Sequence, residues 1–457
     1  MSWNKSQKSV LGIVAITSFL GPFLISSVNI ALPSIEKAFG MNAVSLSWVI
    51  SAFLLSSAIL LLPLGRWADL AGIKKTFTIG VFMFSITTLM CGLAPTGWFL
   101  ISSRFLQGIG GAMTMSTGPA ILVSMFPPQQ RGKVLGISVA SVYMGLAMGP
   151  FVGGVLTQQL GWRSIFFISA FLGLMAAIIT FIYLGKDQPN NAPKKISLTG
   201  SLMYAIALVA MVLGSSAIPS LGGWSLLILG IVLLFVFFFI EKRSSYPVID
   251  TKLFTRNKLF AFSNLAALIN YSATFAIVFL LSLYLQKIKL FTPQQAGSIL
   301  LAQPLVMAVL SPIAGRFSDK IQPRYLATAG MSICTLGLVL FSFIGADTSV
   351  PTIIILLILM GTGFAMFSSP NMNTIMSSVE KHQYGLASGI SATMRIVGQM
   401  VSMTIVTLFF SLYFGASQVS EVPPPIFIQS MSIAFGVFAA ISAVGIWFSF
   451  SRGNVKR

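Results

Sequence analysis

Charged residues are scarce in this sequence, and acidic residues are the scarcest of them. Of the 457 residues 8% are charged, with nine Asp and Glu against 28 Lys and Arg. A water-soluble domain carries about 25% charged residues, so this chain has too little charge to cover a surface in water. Hydrophobic residues make up 56% of the chain, and apolar runs of roughly 17–25 residues, long enough to cross a bilayer core, recur along it. We predict an all-α polytopic membrane protein.

Residues that bind metals or carry out catalysis are equally few. The only histidine is His382, and the two cysteines, Cys91 and Cys334, lie in apolar runs, where cysteine behaves as a small hydrophobic residue. The sequence has no G-x-x-x-x-G-K phosphate loop and no cluster of metal ligands. Its longest loops, near 185–197 and 242–258, are too short for a soluble domain. We predict no metal, no cofactor and no catalytic residue, which disfavours a membrane-bound enzyme or sensor.

Fourteen apolar runs predict fourteen transmembrane helices. The runs cover residues 10–32, 46–64, 76–94, 97–122, 134–157, 164–184, 197–217, 223–241, 259–284, 297–313, 325–344, 352–375, 387–412 and 428–450. An even number of spans places both termini on one side of the membrane. Of the basic loop residues, only Lys37, Arg163, Lys287 and Lys289 fall on the opposite side.

Because basic loops remain in the cytoplasm, we predict that both termini are cytoplasmic. The protein would then span the inner (cytoplasmic) membrane of the cell many times. The net charge of +19 is explained by these loops. We therefore predict the lipid bilayer as a partner and no nucleic acid.

Two glycine patterns in the first half of the chain occur again in the second half. The pattern that begins at Gly108 recurs at Gly361, and the pattern that begins at Gly132 recurs at Gly385, both 253 residues later. A common offset predicts two parallel six-helix copies separated by an inserted helix pair. The predicted units are 1–185, the N-terminal half, 186–258, the inserted pair with its flanking loops, and 259–457, the C-terminal half.

A short basic loop joins the second and third predicted helices and has a weaker copy. The loop is Gly65–Lys75 and the copy is Gly315–Lys320, 250 residues later. The candidate gating positions are Gly65, Arg66, Asp69, Gly72, Lys74, Lys75, Gly315 and Asp319. The helix dipole favours an aspartate at a helix N-terminus, whereas an exposed ion pair contributes only ~0–1 kcal/mol. The duplication favours an interdomain latch at Asp69 over a solvated charge cluster. The same interpretation is weaker for Asp319 in the copy, because Gln322 stands there at the position of Gly72.

These motifs resemble those of the major facilitator superfamily, and within it the fourteen-helix drug-efflux (drug:proton antiporter-2-like) branch. Besides the basic loop, the resemblance rests on Leu100–Gly108 in the fourth run and on Gly145–Gly154 in the fifth, a segment associated with exporters. It covers nearly the whole chain. The resemblance implies two halves that rock around a midplane cavity and an antiporter of the multidrug-resistance type. It says little about the substrate.

The exporter segment carries glycines at helical spacing. Gly145, Gly149 and Gly153 are four residues apart, so they share one helix face and let a neighbouring helix approach closely; Gly154 follows them. Pro150 cannot donate a backbone hydrogen bond, so the helix can bend there. Tight packing alone would explain the pattern. The resemblance further implies that this helix packs against the other half and affects which way the cavity opens.

Arg104 and Arg395 are the only charged residues deep within the predicted spans. A charge buried in lipid costs from a few to over ~10 kcal/mol, so such a residue usually faces a partner or a wet cavity. Neither arginine is repeated at the offset of 253 residues. The alternative is bonding to backbone carbonyls or to polar side chains such as Gln107, Gln399 or Asn371.

No acidic residue lies in the middle of a predicted span. The resembling exporters often carry an aspartate ahead of an N-x-A-L-P motif; here the motif is Asn29–Pro33 and the aspartate's position is Leu24. A proton-coupled carrier of lipophilic cations normally needs such an acid, so this departure disfavours both proton coupling and cationic substrates. The candidate cavity residues are polar and neutral: Ser26, Ser27, Asn29, Gln107, Asn270, Tyr271, Gln303, Asn371 and Asn373. Each could instead tie helices together.

These observations predict a secondary active exporter of amphipathic small molecules that works by alternating access. A cavity with arginine but no acid would favour neutral or anionic amphipaths. The alternative is a dedicated exporter of an anionic metabolite or lipid-like compound without the usual proton–carboxylate coupling. The predicted partners are a small-molecule substrate and protons or another coupling ion, and the protein is predicted to be a monomer.

Overall fold

The computed structural model describes residues 3–185, 198–243, 251–380 and 383–454. Within these ranges the regular structure is helical and contains no strand. The helices are α1 (Lys5–Phe39), α2 (Ala43–Ala71), α3 (Ile73–Gly92), α4 (Gly97–Met125), α5 (Pro128–Leu160), α6 (Arg163–Tyr183), α7 (Leu198–Ala217), α8 (Leu221–Arg243), α9 (Thr251–Arg256), α10 (Lys258–Thr274), α11 (Ala276–Lys287), α12 (Pro293–Leu300), α13 (Ala302–Lys320), α14 (Pro323–Phe341), α15 (Val350–Ser377), α16 (Tyr384–Phe414) and α17 (Pro424–Ser451).

The predicted apolar runs correspond to these helices, which confirms the prediction of an all-α polytopic membrane protein. Two runs consist of two helices each: α10 and α11 meet at Phe275, and α12 and α13 meet at Leu301. Thirteen segments of the described chain are long and apolar enough to cross a membrane. The remaining run, α4, has 29 residues, but Arg104 and Gln107 lower its mean hydropathy.

Several helices extend beyond the predicted runs because capping residues, not hydrophobicity, determine where they end. The Asn4 side chain accepts a hydrogen bond from Gln7 N at 2.7 Å and starts α1 well before residue 10. α1 continues to Phe39 and stops at Gly40, whose φ of 62° is a left-handed conformation that favours glycine. Thr96 starts α4 through the same kind of side-chain cap.

The helices before α7 and those after α9 pack in the same pattern. In the N-terminal set (α1–α6), α1 packs against α5 and α6, α2 and α3 pack against α4, and α3 packs against α6. In the C-terminal set (α10–α17), α10 packs against α16 and α17, α13 and α14 pack against α15, and α14 packs against α17. The boundaries 1–185, 186–258 and 259–457 themselves remain predictions.

The helix pair α7–α8 lies outside this pattern, with α7 against both α2 and α16. Trp48 Nε1 in α2 donates a hydrogen bond to Ser216 Oγ at the end of α7, at 3.0 Å. Ser411 Oγ in α16 donates to the carbonyl oxygen of Ile218, just after α7, and lies 3.3 Å from the Ser216 carbonyl oxygen. Tyr204 and Val212 of α7 are buried in the main hydrophobic core. The pair therefore contacts both sets.

The two ends of the bundle can be told apart by the chain termini. Trp3 Nε1 donates a hydrogen bond to Gln130 Oε1 near the start of α5, at 2.6 Å. Arg452 donates from its NH2 group to the Pro323 carbonyl oxygen at the start of α14, at 3.0 Å. We call this end, which holds both Trp3 and Arg452, the termini side, and the other end the opposite side.

On the opposite side the two sets are bonded to each other. Ser282 Oγ in α11 donates a hydrogen bond to the Asn29 carbonyl oxygen in α1, at 2.7 Å. Glu36 at the end of α1 is 3% exposed. Its carboxylate accepts from the Ser420 backbone N–H at 2.8 Å and from the Ser420 hydroxyl at 3.0 Å. These contacts close the bundle on this side.

Candidate functional site

A cavity of about 1450 Å³ lies between the two sets of helices. Residues of α1–α6, α10, α13, α15 and α16 form its wall. Gly136, Gly315 and Tyr384 line it near the helix ends on the termini side, while Phe53 and Ala147 line it near the middle of the bundle. The cavity thus reaches towards the termini side and ends inside the protein.

The cavity wall is mostly apolar and has Arg395 as its charged side chain. No Asp, Glu, Lys or His is among the described residues that line it. The lining includes these methionine and aromatic side chains: Met115, Met144, Met307, Met372, Met376, Phe53, Phe84, Phe367, Tyr143, Tyr271 and Tyr384. Methionine adapts its shape to a ligand, and aromatic rings offer flat contact surfaces. The wall is therefore suited to an amphipathic molecule and provides no counter-charge for a cation.

Four polar residues meet in this wall, each from a different helix. We call Tyr143 (α5), Tyr271 (α10), Ser368 (α15) and Arg395 (α16) the tyrosine–arginine cluster. Tyr143 and Ser368 share a hydrogen bond between their hydroxyls, and this bond links the N-terminal set to the C-terminal set. Ser368 and Arg395 are both neighbours of the Tyr271 hydroxyl. All four side chains are half-buried and line the cavity.

The predicted cavity residues divide into two groups in the structure. Those that line the cavity are Tyr271, Asn371 and Asn373. Those that lie at helix contacts away from its wall are Ser26, Ser27, Asn29, Gln107, Asn270 and Gln303. Ser26 Oγ, for example, donates to the Leu146 carbonyl oxygen at 3.2 Å and so joins α1 to α5. A polar side chain in a span thus often ties two helices together instead of facing a cavity.

Arg104 lies behind the cavity wall and is bonded to the protein. Its Nε donates to the Val49 carbonyl oxygen at 2.9 Å, and its NH1 donates to Gln107 Oε1 at 2.5 Å. Gln107 in turn donates to Thr88 Oγ1 at 2.6 Å. The guanidinium carbon is 4.8 Å from the centre of the Phe53 ring, which separates it from the cavity. This arrangement joins α4 to α2 and α3.

Arg452 follows the last apolar run and is therefore predicted to be a loop charge, but the structure buries it. It is 2% exposed, and its NH1 donates to Asn371 Oδ1 at 2.6 Å. Asn371 also donates from Nδ2 to the Ser263 carbonyl oxygen at 3.1 Å. Arg452 thus holds a residue of the cavity wall in place. Its position at the end of an apolar run carries no signal of this burial.

The exporter segment packs closely against α1. A Cβ placed at Gly149 would lie 2.5 Å from Ser26 Cβ, and one at Gly153 would lie 2.7 Å from Ser27 Cα; one at Gly145 would overlap the backbone of α1. The same segment also touches the C-terminal set. A Cβ at Gly154 would lie 2.5 Å from the carbonyl oxygen of Pro293 in α12, and Pro150 lies against the backbone of the same helix.

The predicted gating loop is a tight connection on the termini side. Gly72 alone separates α2 from α3, and its φ of 104° is a conformation that L side chains rarely adopt. Gly65 faces Ser116 of α4, and Gly315 faces Ser369 of α15. Arg66 lies in the last turns of α2, and Lys74 and Lys75 lie in the first turn of α3.

The two acids of the predicted latch cannot be placed in the same way. Asp69 lies in α2 and Asp319 lies in α13. Their side chains are outside the described part of the structure. The latch therefore stays a prediction.

The helical bundle and its cavity define a transporter, a multi-pass membrane protein that carries a small molecule. The sequence profile of the Major Facilitator Superfamily matches residues 14–199 and 263–456. The chain therefore belongs to the Major Facilitator Superfamily.

Individual relatives agree with this assignment. The chain is 32% identical to the riboflavin transporter RibZ of Clostridioides difficile (strain 630), over 90% of this chain and 89% of RibZ. It is 29% identical to the multidrug resistance protein Stp of Mycobacterium tuberculosis (strain ATCC 25618 / H37Rv), over 89% of this chain and 77% of Stp. A solved bacterial homologue of the human lysosomal transporter Spinster, inward-facing and unoccupied, shares the fold with a TM-score of 0.71 at 15% identity, over 99% of this chain and 98% of that one. The chain is a transporter and not an enzyme.

Proposed function

We propose that the protein is a secondary active exporter that moves amphipathic small molecules by alternating access. The cavity carries this proposal. Its volume of about 1450 Å³ exceeds the roughly 300–1,000 Å³ of typical small-molecule sites. It reaches towards the termini side, while contacts such as Ser282 with Asn29 close the opposite side. A substrate in it is therefore accessible from the termini side in this conformation, which supplies one of the two states that alternating access requires.

The proposed direction of transport is export, and it rests on the resemblance of Gly145–Gly154 to the exporter segment. With the basic loops in the cytoplasm, the termini side faces the cytoplasm and the cavity receives its substrate there. Transport then requires the bundle to close on the termini side and to open on the opposite side. The segment Gly145–Gly154, which touches both α1 and α12, would separate from α12 in that step. Release would take place outside the cell.

The proposed substrates are neutral or anionic aromatic amphipaths. A lipophilic cation that entered the cavity would lose hydration and meet Arg395 without finding a carboxylate among the described lining residues. The names of the relatives RibZ and Stp are consistent with aromatic and drug-like substrates. Riboflavin, which is neutral, flat and polar at one end, is therefore the first compound to test. The alternative remains a dedicated exporter of an anionic metabolite or lipid-like compound.

Coupling is proposed to use protons or another ion bound outside the substrate cavity. Leu24 stands where the resembling exporters often carry an aspartate, and it is 1% exposed. It cannot take up a proton. An acid in the substrate cavity is therefore not part of the proposed mechanism.

Purified protein in liposomes tests the proposal. Uptake of riboflavin, of an anionic dye and of its matched cationic dye would be measured with and without a pH gradient. A separate pH-sensitive dye inside the vesicles would report proton movement. We expect transport of the neutral and anionic compounds. Ala147→Phe, which fills the cavity, should abolish it, whereas Ala440→Phe on the exposed face of α17 should not. A clear preference for the cation, or full transport by Ala147→Phe, would contradict the proposal.

A further inference from the structure

Arg104, Arg395 and Arg452 differ in how their guanidinium groups are bonded. Arg104 donates to the Val49 carbonyl oxygen at 2.9 Å and to Gln107. Arg452 donates to Asn371 Oδ1 at 2.6 Å and to a backbone carbonyl. These two guanidinium groups are held by acceptors of the protein itself. Arg395 instead lines the cavity, half-buried, on the middle part of α16.

The surroundings of Arg395 contain hydroxyl groups but no negative charge. The Tyr271 hydroxyl is a neighbour of Arg395, and the bonded hydroxyls of Tyr143 and Ser368 lie next to it. No described carboxylate lines the cavity, and the described lining holds no further cation. The guanidinium group therefore faces the space in which a substrate would be bound.

This arrangement has the chemistry of an anion site. A positive charge away from bulk water is stabilised by a counter-charge, and the protein provides none in the described wall. The planar guanidinium group binds carboxylate and phosphate through two parallel hydrogen bonds. Tyrosine hydroxyls can donate further hydrogen bonds to the same oxygen atoms. Around the cluster, Phe53 and Met307 extend the wall as apolar surface.

We propose that Arg395, together with the Tyr271 and Tyr143 hydroxyls, binds the carboxylate or phosphate group of an aromatic substrate whose rings lie against the apolar wall. The inference rests on the proposed function and names the charged group that this cavity selects. Because Tyr143 belongs to the N-terminal set and Tyr271 and Arg395 to the C-terminal set, the bound anion would contact both sets at once. Binding would thus involve both parts that move in transport.

Two matched pairs of fluorescent probes test this site in the purified full-length protein. Riboflavin and riboflavin 5′-phosphate share the same ring system and differ in the phosphate; a coumarin carboxylate and its neutral ester provide the carboxylate arm. Binding would be measured by fluorescence anisotropy. We expect the anion of each pair to bind more tightly, by on the order of 10- to 100-fold, the effect of a hydrogen-bonded charged group.

Variants at Arg395 identify the group responsible. Arg395→Gln should abolish the preference for the anion and leave the affinity for neutral riboflavin nearly unchanged, whereas Arg395→Lys should retain part of the preference. Arg256→Gln, which removes an exposed arginine of α9, is the matched control and should behave as wild type. Tyr271→Phe should weaken anion binding less than Arg395→Gln does.

The results separate this inference from the proposed function. Equal binding of the anionic and neutral probes by the wild type, or an anion preference that survives in Arg395→Gln, would overturn the inference. If riboflavin transport in liposomes is normal in that case, the proposed function stands. A wild-type protein that transports neither flavin nor dye would instead refute the proposed function.

Discussion

Replacing Gly297 by alanine should shift the protein away from the conformation described here. Gly297 in α12 lies directly against α5. A Cβ at this position would overlap the carbonyl oxygen of Pro150 and lie 2.9 Å from its carbonyl carbon. Helix backbone cannot rotate aside as a flexible side chain can, so α5 and α12 would have to move apart. Since this contact joins the two sets towards the opposite side, the substitution should disfavour the closed state of that side.

The size of the shift follows from the cost of overpacking. Extra volume in a close-packed contact costs about 1–3 kcal/mol, and here the cost applies only while α5 and α12 touch. A difference of that size changes the ratio of two conformations by about 5- to 150-fold. Labelling of the variant Ser388→Cys reports the ratio, because Ser388 lines the cavity near the termini side and the native Cys91 and Cys334 are buried. Gly297→Ala should slow this labelling.

Two further glycine variants make the test specific. Gly436→Ala is the matched control, because no atom lies within 4 Å of a Cβ placed at Gly436 in α17; its labelling should equal that of the wild type. Gly154→Ala should reproduce the slower labelling, since its Cβ would lie 2.5 Å from the carbonyl oxygen of Pro293. Wild-type labelling in a folded Gly297→Ala protein would refute the reasoning.

Two more substitutions test other bonds of the structure. Arg452→Met leaves Asn371 Oδ1 without its 2.6 Å hydrogen bond, which should lower the free energy of unfolding by about 1–3 kcal/mol; an unchanged melting temperature in a thermal-shift assay would contradict this. Glu36→Gln keeps an acceptor for the Ser420 backbone N–H but removes the charge, which weakens the contact. It should slow labelling of Ser388→Cys, and faster labelling would contradict the role given to Glu36.

The helices could be predicted from the sequence because bilayer-spanning runs depend on composition alone. Each predicted run corresponds to a helix of the structure or, for α10–α11 and α12–α13, to two consecutive helices separated by one residue. The residues at which the helices begin and end were predicted less accurately. α1 continues past Pro33 to Phe39 and ends at Gly40, whose left-handed backbone conformation favours glycine. Apolar length indicates where a helix must exist, whereas capping decides where it ends.

The cavity was harder to predict because residue type does not reveal which face of a helix points inwards. Tyr271 lines the cavity, whereas its neighbour Asn270 is fully buried between helices, one position away on the same helix. The methionines of the wall, such as Met307 and Met372, carry no signal at all, since an apolar residue in an apolar run is expected anywhere. Arg395 could be singled out from the sequence because a charge inside a membrane span is costly and usually faces a partner or a wet cavity.

Ser216 sets a condition on how the bundle can open. Its hydroxyl accepts a hydrogen bond from Trp48 of α2, and the Ser411 hydroxyl of α16 donates at the end of α7, to the carbonyl oxygens of Ser216 and Ile218. Trp48, Ser216 and Ser411 lie near the ends of their helices on the opposite side. Opening there moves α2 away from α16, so at least one of the two bonds must break. Each contributes about 0.5–1.5 kcal/mol. The bonds of the inserted pair thus add to the contacts that hold the opposite side closed, and a twelve-helix transporter without this pair would lack their contribution.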